Sequence, residues 1–413
     1  MLRSYLKLAW RVLWRRRFFT AISLFGISLT LVVLMVATAL LDHTFAPMAP
    51  EVRQARTLVI FNATMTGPRS TWRDGAGFQL VDRYARNLAN VERVAMISFP
   101  EDVFSYPGST RVQSSLRRAD AEYWRILDFD FLEGGPFADQ DVRNGSRVAV
   151  INAATRDRFF GAAPAVGRWI DADGQRFRVV GVVANVSASR PVSTGDIFVP
   201  YTTAKTDAYK TRLLGGFMGI LLGRSPSDLQ GIKAEFASLM KTVPMPDKNY
   251  EHLYAAAETY FESVAADTFG QRNDDTTRAE RLWIAIVGAA LLFLLLPTVN
   301  LVNLNVSRIM ERASEIGVRK AFGASTGTLV TQFIVENVML TLLGGAIGFV
   351  LSAVALKAIT AAELIEHARL AINGRVFLYG LGLSLVFGLL SGVYPAWRMA
   401  RLNPVAALKG VGR

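Results

Sequence analysis

The sequence predicts an α-helical integral membrane protein with four transmembrane helices and a large α+β extracytoplasmic domain between helices 1 and 2. Three observations predict it. Hydrophobic residues make up 51% of the chain, and they are gathered into long runs. Basic residues cluster in short segments beside those runs. The one long stretch left over alternates between strand-like and helix-like periods.

Residues 1–17 hold Arg3, Lys7, Arg11, Arg15, Arg16 and Arg17, with Trp10 and Trp14 among them. This reads as a basic amphipathic helix along the inner leaflet, its two indoles at the membrane interface. Residues 18–41 carry no charge and form the first span. About 20 apolar residues suffice to cross a hydrocarbon core of ~30 Å. A signal peptide is the competing reading, because Ala37-Thr38-Ala39 resembles a cleavage site. The apolar core of a signal peptide is usually ~7–15 residues, shorter than this run, which favours an uncleaved anchor.

The other spans are 281–306, 328–360 and 376–397. A cytosolic loop (307–327) follows the second, a short external loop (361–375) follows the third, and 398–413 is a cytosolic tail. Orientation comes from charge. The loop holds Arg308, Arg312, Arg319 and Lys320, and the tail holds Arg398, Arg401, Lys409 and Arg413. Only Glu311 and Glu315 oppose them, so the start, loop and tail together carry the +12 of the whole chain. Basic flanks stay in the cytosol. Both termini are therefore cytosolic, and 42–280 lies outside. The high pI is a topology signal; no basic patch with interleaved aromatics points to nucleic acid. A chain without Cys suits an external domain that uses no disulfides.

Within 42–280, Arg56–Met65 reads as a strand and Phe78–Asn90 as a helix with Leu80, Tyr84 and Leu88 on one side. Val91–Phe99 reads as a strand. Ser146–Asn152 is a short buried strand followed by a helical Ala153–Gly161. Gln175–Val186 is a strand after an Asp173-Gly174 hairpin turn. Ser227–Val243 is a helix with a Ser cap and a stripe of Leu229, Ile232, Phe236 and Leu239. Leu253–Gln271 reads as helix leading to the second span. The mixture is an α+β domain with room for two subdomains.

Catalytic patterns are missing from these residues. There is no HExxH, no GxSxG and no GxxxxGK[ST] phosphate loop, and His43, His252 and His367 are far apart in sequence. Asp139/Asp141 and Asp171/Asp173 sit beside turn signals and read as solvated loop acids. A non-catalytic chain with no metal or cofactor of its own is expected.

The spans carry some polar and small residues. Gly344 and Gly348 in the third, and Ser384, Gly388 and Gly392 in the fourth, recur at four-residue spacing, which lets helices approach closely in lipid. They serve packing within the chain or a dimer face. Four spans make a thin bundle, which favours the dimer. Pro297 should kink the second span, with Asn300, Asn303 and Asn305 available to bond inward. Glu336 is the one acid in a span, and it is either a structural hydrogen-bonding residue or a switch.

The stretch Glu311–Ser325, "ERASEIGVRKAFGAS", interrupts two apolar runs with a short charged helix. Glu315 and Arg319 form an i,i+4 pair, and Gly323 is placed to end the helix. Ile309, Ile316, Val318 and Phe322 give it apolar surface. It is either a basic connector or a docking element.

That stretch, with "QFIVEN", "GGAIG" and the tail "YPAWRMARLNPVAALKG", resembles the MacB/FtsX-type ABC transporter permease family. "LEGGPFADQD", "SRVAVINAATRDRFFG", "VGRWIDADGQRFRVVGVVANV" and "DIFVPYT" resemble a MacB-like periplasmic core domain, in its order. Pro136 departs from a common Arg after Gly, and the fused ATPase domain of some members is missing. The resemblance implies a permease of the bacterial inner membrane, with ATP and Mg on a separate ABC ATPase subunit. It implies that 307–327 is a coupling helix, with Glu315, Ile316, Gly317, Arg319, Lys320, Phe322 and Gly323 at the ATPase contact. It also implies a second permease copy or a paralogue, and export of an amphipathic molecule, peptide or lipoprotein by mechanotransmission. A periplasmic adaptor and an outer-membrane exit duct are further partners it suggests. An FtsX-like mechanical regulator of a periplasmic cell-wall hydrolase is the alternative; a non-transporting sensor is a third class.

Overall fold

The computed structural model describes all residues except 1, 107–110, 162, 270–277, 294, 296–317, 319–321, 323–324, 369 and 401–413. The helices are α1 (Leu2–Arg15), α2 (Arg17–Phe45), α3 (Ala121–Ile126), α4 (Asp139–Asn144), α5 (Ala153–Phe160), α6 (Leu229–Met240), α7 (Tyr260–Thr268), α8 (Thr326–Ala361) and α9 (Gly374–Ala400). Residues 279–293 are also helical. The chain divides into two compact units. One comprises 1–43, 283–364 and 369–413; the other comprises 44–282 with 365–368.

In the helical unit, a turn at Arg16 separates α1 from α2. Ala9 and Leu13 of α1 are buried, while Trp10 and Trp14 on its other side are exposed. Leu13 joins Ile27 and Leu31 of α2 and Leu340 of α8 in a small apolar core. Among the described residues, Arg17–Phe45 and Val330–Ala361 are long and apolar enough to cross a membrane, and Gly374–Val386 is a shorter apolar helix. The first apolar helix thus runs past residue 41. Residues 294 and 296–306 of predicted span two, including Pro297 and Asn300, Asn303 and Asn305, lie outside the described residues. Ser325 caps α8, its hydroxyl accepting from the Thr328 N–H, which places the start of this helix at Thr326.

The external unit is α+β. Its strands are β1 (Thr57–Ile60), β2 (Asn62–Thr66), β3 (Thr71–Gly75), β4 (Val91–Ser98), β5 (Glu101–Ser105), β6 (Val112–Ala119), β7 (Phe131–Gly134), β8 (Val148–Asn152), β9 (Trp169–Ala172), β10 (Gln175–Val183), β11 (Ile197–Pro200), β12 (Phe217–Gly223) and β13 (His252–Ala255). The large mixed sheet runs β1-β12-β4-β6-β11-β8-β10-β7, with β5 on β6 and β9 on β10. A small sheet runs β13-β2-β3. β12 shows how the large sheet is buried on both sides. Phe217 and Leu221 enter one core with α6, whereas Met218, Ile220 and Leu222 enter another with α3. That alternation is the period-two geometry of a strand.

Several sequence expectations change here. Arg56–Met65 is not one strand: the chain breaks at Phe61, and β1 and β2 join different sheets. Phe78–Asn90 is helical over 78–87 but irregular, a wide turn at Leu80–Tyr84 running into a tight one at Ala85–Asn87. Leu80 and Leu88 reach the core. The cap near α6 is Ser225, paired with Asp228 in a capping box, and not Ser227. Leu253 lies on strand β13, paired with β2, and the helix begins only after Thr259 caps α7. The Asp173-Gly174 turn joins β9 to β10 with both residues at positive φ, 53° and 69°. β12 was not expected, although "FMGILLG" between glycines is a short buried-strand pattern.

Candidate functional site

A dense polar cluster in the external unit surrounds the loop between β10 and β11, residues 184–196. Two sides of this loop are held by buried guanidinium groups. On the first side, Arg190 donates through Nη1 to Glu51 Oε2 at 2.9 Å and through Nη2 to the Ala46 carbonyl at 2.7 Å. Ser193 Oγ donates to the other Glu51 oxygen at 2.5 Å. The Arg190 and Glu51 side chains are only 1% and 8% exposed. Ala46 is the residue after α2, so these bonds hold the segment that leaves the first apolar helix.

On the second side, Arg117 of β6 is wholly buried. Its Nη1 donates to the carbonyls of Pro191 at 2.7 Å and Thr194 at 2.8 Å, and its Nε to Ser98 at 2.9 Å. Tyr123 Oη donates to the Val192 carbonyl at 3.2 Å. Burial pushes the Arg117 pKa down to about 10, with nearby Tyr123 and Glu51 opposing the shift, so the group stays charged at neutral pH. Charged donors to carbonyls make stronger bonds than neutral ones, and buried carbonyls need them.

The ends of the loop are also tied. The Ala188 N–H donates to the Glu366 carbonyl at 3.2 Å, and Ile365–Ala368 belong to the same compact unit as this loop. At the other end, Asp196 accepts from the Ser115 N–H at 2.9 Å and from Asn152 Nδ2 at 2.8 Å. Asn152 in turn caps α5 through the Thr155 N–H. Beside this corner lies a polar cavity of about 280 Å³, lined by Asp102, Asn152, Arg158, Asp196, Glu366 and His367 among others. Among the described residues the cluster sets no nucleophile against a base. Its bonds position backbone.

The residues singled out from the sequence are scattered by comparison. Glu315, Ile316, Gly317, Arg319, Lys320 and Gly323 lie outside the described residues. Phe322 is described and exposed, its N–H bonding to the Val318 carbonyl at 3.1 Å. Gly344 and Gly348 face α2 of the same chain. A Cβ on Gly344 would come within 2.8 Å of Ile27, and one on Gly348 within 3.1 Å of Leu31. Both glycines thus sit in close contact with α2. Ser384 Oγ donates to the Gly380 carbonyl, one turn back. Gly388 and Gly392 are on α9, in a stretch whose side-chain surroundings lie outside the described residues. Glu336 is 1% exposed and accepts from Gln332 Nε2 at 2.9 Å.

Sequence reasoning missed Glu51, Arg117 and Arg190. Their neighbours in sequence look like ordinary polar loop or strand positions, and the bonds bridge up to 144 residues. One signal was available: Arg117-Arg118 sits in a strand, so one of the two must point to each face. Asp173 was read as a solvated acid, yet it accepts from Arg118 at 2.6 Å and Lys205 at 2.7 Å.

Two family models match consecutive parts of the chain. A MacB-like periplasmic core domain matches residues 20–239, and an FtsX-like permease C-terminal domain matches 287–404. The pyoverdine export ATP-binding/permease protein PvdT of Pseudomonas aeruginosa is 26% identical over 404 residues, covering 97% of this chain and 58% of PvdT. The macrolide export ATP-binding/permease protein MacB of Wolinella succinogenes is 24% identical, covering 98% of this chain and 60% of MacB. The chain thus spans less than two thirds of these relatives. The periplasmic region of MacB from Actinobacillus actinomycetemcomitans superposes with a TM-score of 0.38 at 14% identity, over 53% of this chain and 94% of that one. That score is too low to establish a shared fold.

Proposed function

The chain belongs to the MacB/FtsX-type family of ABC transporter permeases, and we propose that it works by mechanotransmission. In this reading it is an inner-membrane subunit with four spans, both termini in the cytosol and 42–280 in the periplasm. A separate ABC ATPase binds ATP and Mg and docks on the coupling helix in 307–327. Closure of the ATPase moves the spans, and the spans move the periplasmic unit to drive export of an amphipathic molecule, peptide or lipoprotein. A second permease copy or a paralogue completes the complex, with a periplasmic adaptor and an exit duct as further partners. The observation that carries the reading is the order of the two family modules along one chain, periplasmic core first and permease second.

The docking helix supplies the test. Reversing charge in a partly buried contact costs several kcal/mol, whereas an exposed pair is worth well under ~1 kcal/mol. Glu315→Lys and Ile316→Asp should insert normally and keep the external unit folded. They should lose ATPase co-purification or the stimulation of hydrolysis in the reconstituted complex. Wild-type binding and hydrolysis in both would reduce Glu311–Ser325 to a topology-setting loop. Orientation has its own check: an impermeant maleimide should label Ser146→Cys in intact spheroplasts and spare Ser314→Cys and Ala407→Cys. The composition of the complex from native membranes separates export from the FtsX-like alternative. An adaptor would support export, and a co-purifying cell-wall hydrolase would support regulation.

A further inference from the structure

We infer that the 184–196 loop is the joint through which movement of the chain's apolar helices reaches the external sheet. This deepens the mechanotransmission reading and rests on it. Two separate leads from the apolar helices end on this one loop. The first is the exit of α2, where Ala46 and Glu51 are gripped by Arg190 and Ser193. The second is the connection between α8 and α9, whose Glu366 carbonyl accepts the Ala188 N–H. The loop itself passes the load inward. Arg117 holds Pro191 and Thr194 to β6, which pairs with β4 and β11 in the large sheet.

The chemistry of the grip suits a joint. Arg190 presents a planar fork to a carboxylate and a carbonyl, so the geometry is directional, and a buried pair is not weakened by salt as an exposed one is. Two tight turns, Arg190 N–H to Ser187 carbonyl and Thr194 N–H to Arg190 carbonyl, make the loop stiff between its anchors. The polar cavity beside it borders Val186, Ala188 and Thr194 and leaves room for the loop to shift without overpacking a core. Glu51 and Arg190 are thus positioning residues that convert displacement of a helix end into displacement of a strand.

The test uses the full permease–ATPase complex from native membranes, reconstituted in lipid. Spin labels on Lys241→Cys and Arg375→Cys, both exposed, report the distance between the two units. This chain has no native Cys, so it adds no background labelling of its own. Wild type should show a nucleotide-dependent change in this distance. Glu51→Gln and Arg190→Gln should reduce the population that responds by roughly fivefold or more, the lower end of ordinary coupling between sites, while ATP hydrolysis continues. Arg190→Lys should restore part of the response, and Ser193→Ala, which removes a single bond, should weaken it without unfolding. Arg118→Gln is the control, since Arg118 is equally buried in the same unit but pairs with Glu101 and Asp173, away from this loop. It should lower stability and leave the response intact. A full response in folded Glu51→Gln and Ser193→Ala, or an equal loss in Arg118→Gln, would overturn the joint. No nucleotide response in wild type would overturn the transmission reading, and the joint with it.

Discussion

The hydroxyls within the apolar helices and the buried arginines of the external unit find their partners in opposite ways. In α2, Ser28, Thr30 and Thr38 donate to Leu24, Gly26 and Leu34, each one turn back in the same helix. Ser352, Thr360 and Ser384 do the same in α8 and α9. In the external unit, Arg86, Arg117, Arg118 and Arg190 reach across the fold to acids and carbonyls far away in sequence. The contrast has a physical origin. A segment crossing lipid must satisfy its backbone and hydroxyls locally, because neither water nor loops are at hand. A water-exposed unit can bury a few charges at its centre and use them to hold loops in place, provided every one finds a partner.

The largest way to break this contrast is to remove a long-range charge. Arg117→Met would leave the Ser98, Pro191 and Thr194 carbonyls without their shared donor. Each such group costs ~1–3 kcal/mol, partly offset by the charge no longer being desolvated, so a net loss of about 3 kcal/mol is expected. Denaturant unfolding of the external unit in the full chain measures it. An unchanged midpoint would show that these bonds do not hold the loop.

Close packing in the helical unit is the next place to test. Gly344→Leu should clash with Ile27 and destabilise the solubilised chain by about 1–3 kcal/mol. Gly382→Leu, which meets nothing within 4 Å, should be tolerated. Thermal melts and crosslinking on both variants separate the readings. Lost self-association with an unchanged melt would return Gly344 to a dimer face.

A smaller effect comes from Asp120, which caps α3 through the Tyr123 N–H and meets Arg86 at 2.5 Å. Burial pushes its pKa up to about 6, although Arg86 and the backbone donors oppose the shift. The folded state therefore holds this proton at a pH where the unfolded chain, with an ordinary carboxyl near ~3.9, has lost it. Stability from this group is greatest at low pH and falls as pH rises from about 4 through 6. Asp120→Asn removes that dependence. Between pH 5 and 7 the melting temperature of the wild type should fall relative to that of the variant, and parallel curves would contradict the buried, raised carboxyl.

The smallest effect sharpens the other side of the comparison. Ser28→Ala removes a local hydroxyl shared between the Leu24 carbonyl at 2.7 Å and the Phe25 carbonyl at 3.2 Å. The helix keeps its own backbone bonds, so the melting curve should shift by well under ~1 kcal/mol. A large loss would mean that Ser28 does more than bond its own helix.

The difference also explains which parts of the protein were legible. The apolar runs of α2 and α8, the capping Ser325, the β8–α5 unit and the Asp173-Gly174 hairpin can all be read from local pattern, because each is decided by neighbours within a few residues. The MacB-like and FtsX-like motifs are likewise contiguous. The split of Arg56–Met65 between two sheets was not legible, nor was the pairing of Leu253 with β2, since both depend on which distant strand offers hydrogen bonds. The same holds for the 184–196 loop. Nothing near Arg190 in the chain announces Glu51, and nothing near Arg117 announces Pro191. Composition and periodicity by themselves pointed to a membrane protein with an external α+β unit, and the contiguous motifs carried the permease resemblance. Only the tertiary structure decided which charges are buried together, because a buried charge is stabilised by partners that folding, not sequence proximity, brings to it.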